Sequence, residues 1–317
     1  MTRKARPTVA VVCGGPSAEA EVSRVSGRGV AEALRATYTT VLTLELDREI
    51  DLRLRESAVD VVFPVLHGPL GEDGSFQGLL EVLGLPYVGS GVAASACAMD
   101  KVIAKQLFRA YGVPVARDVV VHRADGAPGA AQRVLDSLSR SVVVKPSCQG
   151  SAIGVMFPGD EAALVRSLEQ AFGYDERVLV EERIAGREIT VGILEQEEPE
   201  ALPVVEVRTP PGSWYDFQHR YTPGLSEHVV PAPLPAEQYR RTQALAKLAH
   251  RALGCRDLSR VDFAVPDDGE PIVLELNALP GMTPTSLYPD AARAAGMHFE
   301  ALVAHLIERA WSRGQSR

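Results

Sequence analysis

Arg260-Val-Asp-Phe-Ala-Val265, Asp267-Asp-Gly269 and Ile272-Val-Leu-Glu-Leu-Asn277 follow one another late in the chain, and they read as two strands joined by a hairpin turn. Side chains two apart on a strand share a face, so Arg260 lies beside Asp262 and Glu275 beside Asn277. Three oxygen donors thereby converge next to one guanidinium. Glu275 interrupts an otherwise apolar run, where a carboxylate without a partner is costly to bury. Hard oxygen ligands at low count suit Mg2+ or Mn2+, completed by water and phosphate. An ordinary amphipathic hairpin with one wet face has the same pattern, and the two strands alone do not separate these readings.

Working outward to the N-terminus, strand-like and helix-like runs alternate. Val9–Cys13 is apolar and β-branched, Gly14-Gly-Pro-Ser17 turns the chain, and a helix is expected over 18–36 with Ser17 as its N-cap. Val41–Leu46 and Val59–Val65 read as further buried strands, and 75–83 as a helix. This rhythm predicts an α/β unit with a parallel sheet covered by helices on both faces, ending near residue 95. Asp100–Tyr111 reads as a helix capped by Asp100 and stopped by Gly112 and Pro114. Strands at Val115–Val121 and Val142–Lys145, with helices at 130–139 and 161–172, make a small α+β unit over 96–180. Beyond it the texture is β-rich, with strands expected at 178–182, 188–194 and 201–207. Thr209–Pro235 shows no period, and so long a loop in a compact protein is functional or mobile. Helices at 236–253 and 299–310 frame the hairpin and complete a third unit, 181–317.

Composition narrows the function. The 317 residues are 46% apolar and 23% charged, and 33 basic against 41 acidic residues leave a net charge of −8. That balance suits an ample core and disfavours a general nucleic-acid binder, which needs a basic face. No apolar run approaches the ~18 residues of a membrane span. The basic start, Met1–Pro7, meets a strand and Gly14-Gly15 too soon for a signal peptide. Cys13, Cys97, Cys148 and Cys255 form no CxxC pair, so neither a zinc site nor a disulfide framework is expected. The reading is a cytoplasmic protein of several domains that acts on small molecules.

The remaining motifs each carry two readings. There is no GxxxxGK[ST], and Gly14-Gly15-Pro16 is not GxGxxG, which argues against a P-loop NTPase and a nicotinamide dehydrogenase. Glu19 and Glu21 complement the dipole of the first helix, or one of them holds a ligand cation at the sheet's carboxyl edge. Lys145 ends a strand before Gln149-Gly150-Ser151-Ala-Ile-Gly154, as a phosphate clamp or as a snorkelling surface residue. Glu181, Glu182 and Glu188 would read an adenine amino group and ribose hydroxyls, or form a solvated edge. His67 is a ligand contact or an ordinary loop histidine. Gly281-Met-Thr283 with Ser286-Leu287 leads into a helix start, where a free hydroxyl is a ready carboxylate site.

In this order the segments resemble the D-alanine–D-alanine ligases of the ATP-grasp superfamily. The resemblance covers nearly the whole chain, through Gly14–Ser23, Leu66-His-Gly68 with Gly71–Gly74, Met99-Asp-Lys101, Lys145-Pro146, Gly150–Gly154, Tyr215-Asp216, Arg260–Asp262 and Glu275–Thr283. It implies an α/β ATP-grasp architecture: an N-terminal Rossmann-like substrate domain (1–95), a small α+β central subdomain (96–180) and a β-rich α+β C-terminal subdomain (181–317) with a mobile loop, 209–235. Lys101 and Lys145 are implied to contact ATP phosphates under the loop around Ser151. Glu181, Glu182 and Ile184 would border the adenine, and Glu188 would meet the ribose. Asp262, Glu275 and Asn277 would hold two Mg2+ or Mn2+ ions. Glu19 would take the ammonium of the first D-alanine and Ser286 with Leu287 the carboxylate of the second, His67 lying close by.

The same resemblance makes Arg260 and the Gly281 N–H oxyanion donors, and Glu19, Ser151 and Tyr221 a hydrogen-bonded link that shuts the loop. The family's loop ends in Lys-Tyr, whereas this chain has His219-Arg220-Tyr221, and arginine is a planar fork rather than a point charge. Arg220 is expected at the γ-phosphate. In the family a tyrosine at position 221 accompanies D-alanine acceptors, and phenylalanine accompanies members that also make the D-lactate ester. The implied activity is ATP-dependent ligation of two D-alanines through an acyl phosphate, for peptidoglycan precursors, by a homodimer. Ligation to D-lactate, D-serine or another amino acid is one rival, and a catalytically dead amino-acid sensor is another.

Overall fold

The computed structural model describes residues 6–222, 224–283 and 286–316, apart from the Tyr221 side chain. β1 (Val9–Cys13), α1 (Ala20–Arg35), β2 (Val41–Glu45), α2 (Ile50–Glu56), β3 (Val61–Pro64) and α3 (Ser75–Leu83) build a parallel sheet in the order β2-β1-β3. Alternation along β1 gives this sheet two cores. Val9, Val11 and Cys13 join the cluster under α1, while Ala10 and Val12 join the cluster of Ile50, Leu54, Phe76 and Leu80 under α2 and α3. Gly27 lets α1 come so near that a Cβ there would sit 2.7 Å from that of Cys13.

Two expectations need correcting here. Ser17 is not the N-cap of α1: its hydroxyl accepts the Glu19 N–H at 3.2 Å, closing the turn, and the helix starts after Glu19. β2 is half exposed rather than buried, because it forms an edge of the sheet.

α4 (Val92–Met99) spans residue 95 and leads into α5 (Lys101–Ala110). Asp100 caps α5 as expected, accepting the N–H groups of Val102 at 3.0 Å and Ile103 at 3.2 Å. β4 (Asp118–His122), α6 (Ala127–Ser137), β5 (Val142–Pro146), α7 (Glu161–Phe172) and β6 (Arg177–Glu182) then form an antiparallel sheet, β4-β6-β5, whose core is shared with α6 and α7.

The last part is a second antiparallel sheet. β7 (Arg187–Glu195), β8 (Pro199–Ala201), β9 (Val205–Arg208), β10 (Glu227–Val229), β11 (Leu258–Val265) and β12 (Ile272–Asn277) run in the order β10-β9-β7-β11-β12, with β8 also on β7. The strand expected over 201–207 is two strands, broken around Pro203, which has no N–H for a ladder. The 209–235 segment is not without regular structure: it holds α8 (Phe217–Tyr221), capped by Asp216 through the His219 N–H at 3.0 Å, and β10, which pairs with β9.

Three more helices follow: α9 (Ala236–Ala252), α10 (Leu287–Ala294) and α11 (Phe299–Gln315). α11 returns to the N-terminal sheet, where Leu302, Val303, Leu306 and Ile307 share a core with Val9, Val11, Val30 and Phe63. Partly buried ion pairs fix it. Asp257 accepts the Gly89 N–H at 2.9 Å and pairs with Arg313 at 2.8 Å, and Glu195 pairs with Arg309 at 2.8 Å.

Candidate active site

A cleft of about 760 Å3 opens where these layers meet. Glu19, His67, Lys101, Ser151 and Arg220 line it from the first two units and the 209–235 segment. Arg260, Glu275, Asn277, Gly281, Ser286 and Leu287 line the rest. Among the described residues, Lys145, Glu181, Glu182, Ile184, Glu188 and Asp262 are expected site residues that do not line it.

Glu19 closes the start of α1 and is 5% exposed. The Ser151 hydroxyl donates to it, and a Cβ on Gly68 or Gly150 would lie 3.1 Å from its Oε2. Two glycine-bearing loops thus approach one carboxylate because they carry no side chain there. His67 is buried, with Nδ1 3.8 Å from Glu72 Oε1, and Glu72 also accepts the Gly68 N–H at 2.6 Å. Burial disfavours the charged ring, but the Glu72 and Glu19 carboxylates outweigh it and raise its pKa.

On the hairpin, register sets Arg260 opposite Asn277 and Asp262 opposite Glu275. Arg260 donates Nε to Asp262 Oδ1 at 2.8 Å and Nη2 to Oδ2 at 2.7 Å, and the Thr190 hydroxyl of β7 donates to Oδ1 at 2.6 Å. Burial opposes both charges, yet their pairing holds Arg260 above and Asp262 below their ordinary values. Glu275 faces two looser cations, Lys101 Nζ at 4.0 Å and Arg220 Nη2 at 3.9 Å. Asn277 Oδ1 accepts the Leu279 N–H at 2.9 Å. Arg220 stacks on the Tyr215 ring at 4.7 Å and donates Nε to the Tyr215 carbonyl at 3.2 Å. Burial pushes the Glu188 carboxyl up to about 7, against the pull of Arg220. The Ser286 hydroxyl is not the free group expected. It accepts the Thr283 N–H at 3.1 Å and lies 2.7 Å from the Thr283 hydroxyl.

The lysines form a second constellation. Lys101, first in α5, donates to the Gln149 carbonyl; burial lowers its pKa, against the pull of Glu275. Lys145 pairs with Glu181 Oε1, while Glu181 Oε2 takes Lys105 at 2.7 Å. Burial favours a neutral Glu181, but the two lysines hold its carboxyl below the ordinary value. The carboxylate expected at the adenine is therefore occupied by lysines, with Glu182 and Ile184 half-buried beside it. Lys105 is missed by sequence reading. Its one signal is spacing: it lies on the buried face of α5, three residues from both Val102 and Phe108.

Residues 107–308 match the family described as D-ala D-ala ligase C-terminus, and residues 47–90 match D-ala D-ala ligase N-terminus. The chain belongs to the D-alanine–D-alanine ligase family. The D-alanine–D-alanine ligase of Desulforudis audaxviator is 46% identical over 308 residues, 96% of this chain and 99% of that protein. The crystal structure of the Bacillus anthracis D-alanine–D-alanine ligase complexed with ATP superposes with a TM-score of 0.84 at 32% identity, covering 98% of this chain and 99% of that one. The VanG D-Ala:D-Ser ligase of Enterococcus faecalis superposes with a TM-score of 0.83 at 30% identity, covering 96% and 99%. The mixed α/β fold is the ATP-grasp architecture of this family. Ligases named for different acceptors share it, so selectivity among them lies in side chains rather than in topology.

The donor set can be tested for metal. Among the described residues no three His, Cys, Asp or Glu groups gather into a cage, and no helix is long and apolar enough to cross a membrane. Glu275 and Asn277 instead offer oxygens at the cleft wall, and Asp262, set back from it in a pair with Arg260, lies opposite Glu275 on the adjacent strand. That set fits a hard cation which draws its other ligands from phosphate and water.

Proposed function

We propose that this chain joins two D-alanines into D-alanyl-D-alanine with ATP, releasing ADP and phosphate, as a step of peptidoglycan precursor synthesis in the cytoplasm. The observation that carries the reading is one cleft that brings Glu19, Arg260 and Glu275 together with Lys101 and Arg220. A carboxylate is a poor acyl donor until one of its oxygens is phosphorylated. Glu19 holds the ammonium of the first D-alanine, whose carboxylate attacks the γ-phosphorus and forms an acyl phosphate. Lys101, Lys145 and Arg220 spread the phosphoryl charge. Glu181, Glu182 and Ile184 border the adenine, and Glu188 meets the ribose.

Ser286 and Leu287 hold the carboxylate of the second D-alanine near His67, and its free amine attacks the acyl carbon. Arg260 keeps N–H groups not given to Asp262, and with the Gly281 N–H it receives the oxyanion, a kind of contact worth about 3–4 kcal/mol. Asp262, Glu275 and Asn277 would hold Mg2+ or Mn2+, which when bound neutralises phosphate charge. The 209–235 segment is the lid, held shut by Ser151 and Glu19 together with Tyr221, whose side chain lies outside the described residues, and it keeps water from the acyl phosphate. The functional divisions are 1–95, 96–180 and 181–317, and the working form is a homodimer.

The test is phosphate release with Mg2+-ATP and D-alanine, with the product identified by mass; no D-alanine-dependent release overturns the reading. With D-lactate also present, D-alanine dominates in the wild type at about pH 7.5, since a polar network helps deprotonate the amine. Tyr221→Phe raises the D-lactate share, chiefly at lower pH. An unchanged partition overturns the assignment of the acceptor.

A further inference from the structure

Lys105 is 2% exposed and sits one turn after Lys101 on α5. Its ammonium lies 2.7 Å from Glu181 Oε2 and 3.2 Å from Asp118 Oδ1, and Arg109 also pairs with Asp118. Lys145 takes the opposite oxygen of the same Glu181. The ligation steps make no use of Lys105, and burying a lysine is costly. Asp118 already has Arg109, so neutralising Asp118 does not account for it.

The consequence falls on Lys145. A buried carboxylate with a single lysine closes into a neutral pair, strongly bound where the dielectric is low. With two lysines the carboxylate is shared, the trio keeps a net positive charge, and each ammonium repels the other. We propose that Lys105 is a positioning residue for Lys145: it occupies half of the Glu181 carboxylate, so that Lys145 is aimed by Glu181 without being sequestered and transfers to the nucleotide's phosphate oxygens. This rests on the reading that Lys145 meets ATP.

The experiment compares equilibrium binding of ADP, inorganic tripolyphosphate and adenosine to the wild type and to Lys105→Met, which keeps the length and loses the charge. Dissociation constants for ADP and tripolyphosphate rise about tenfold, and that for adenosine stays within about twofold. Lys105→Arg restores the phosphate ligands. Equal weakening of all three ligands marks a merely structural lysine and overturns the proposal, as does unchanged tripolyphosphate binding. Where Lys105→Met does not fold, Lys105→Gln is read in the same way: weaker tripolyphosphate binding with adenosine unchanged supports the proposal, and any other pattern overturns it. A wild type that binds neither ADP nor tripolyphosphate removes the nucleotide reading itself, and the proposal with it.

Discussion

Glu275 faces Lys101 and Arg220 at about 4 Å, a loose arrangement that costs little to break and leaves its oxygens turned to the cleft. Glu275→Gln therefore melts within a few degrees of the wild type and loses ligation; near-normal phosphate release at saturating Mg2+ would overturn its place in the site. Arg220→Ala slows acyl-phosphate formation in single-turnover experiments far more than it weakens ADP binding. Equal losses would mean that the arginine only orders the lid. At this scale the hairpin was legible, because a period of two puts Arg260, Asp262, Glu275 and Asn277 on one face whatever surrounds them. Lys105 was not legible as a site residue. Its partner Glu181 is 76 positions away, and a lysine on an apolar helix face reads equally as one that snorkels to solvent.

α5 shows what a single cap contributes to an element. Asp100 takes two helix N–H groups, the Ser147 hydroxyl at 2.8 Å and the Arg177 guanidinium. Asp100→Ala leaves all of these unpaired at once, so it costs about 2 kcal/mol or more in urea unfolding, beyond an ordinary exposed cap. Asp100→Asn keeps the acceptor and loses less; an equal loss would show that the Arg177 charge pair, not the cap, dominates. Elements with a clear stripe or run, such as α3, α7 and β12, have the bounds their sequence suggests. α4 was invisible because Val92-Ala-Ala-Ser-Ala-Cys-Ala-Met99 is small and apolar on every side, and α2 is too short to show a period.

Across the whole molecule, the sheets are joined by the pairs at the root of α11. Burial alone would raise the Glu195 carboxyl, but His250, the Asp257 N–H and Arg309 hold it at about 2. A depressed carboxyl stabilises the fold above its unfolded pKa and stops doing so as pH falls toward its folded one. Glu195→Gln thus costs about 3 kcal/mol near pH 7, and the gap to the wild type narrows below about pH 4.5. A gap that ignores pH would mean that shape, not charge, holds the joint. None of this was readable in sequence, since Glu195, Asp257 and Arg309 lie far apart along the chain and each looks like a surface charge. The return of α11 also has a consequence for biosynthesis. Val9, Val11 and Phe63 emerge from the ribosome long before Leu302 to Ile307, which complete the core that these strands share with α1. The first sheet must wait with that face only partly covered until α11 has been made, so a polypeptide stalled before α11 is a candidate for chaperone capture and aggregation rather than a half-built enzyme.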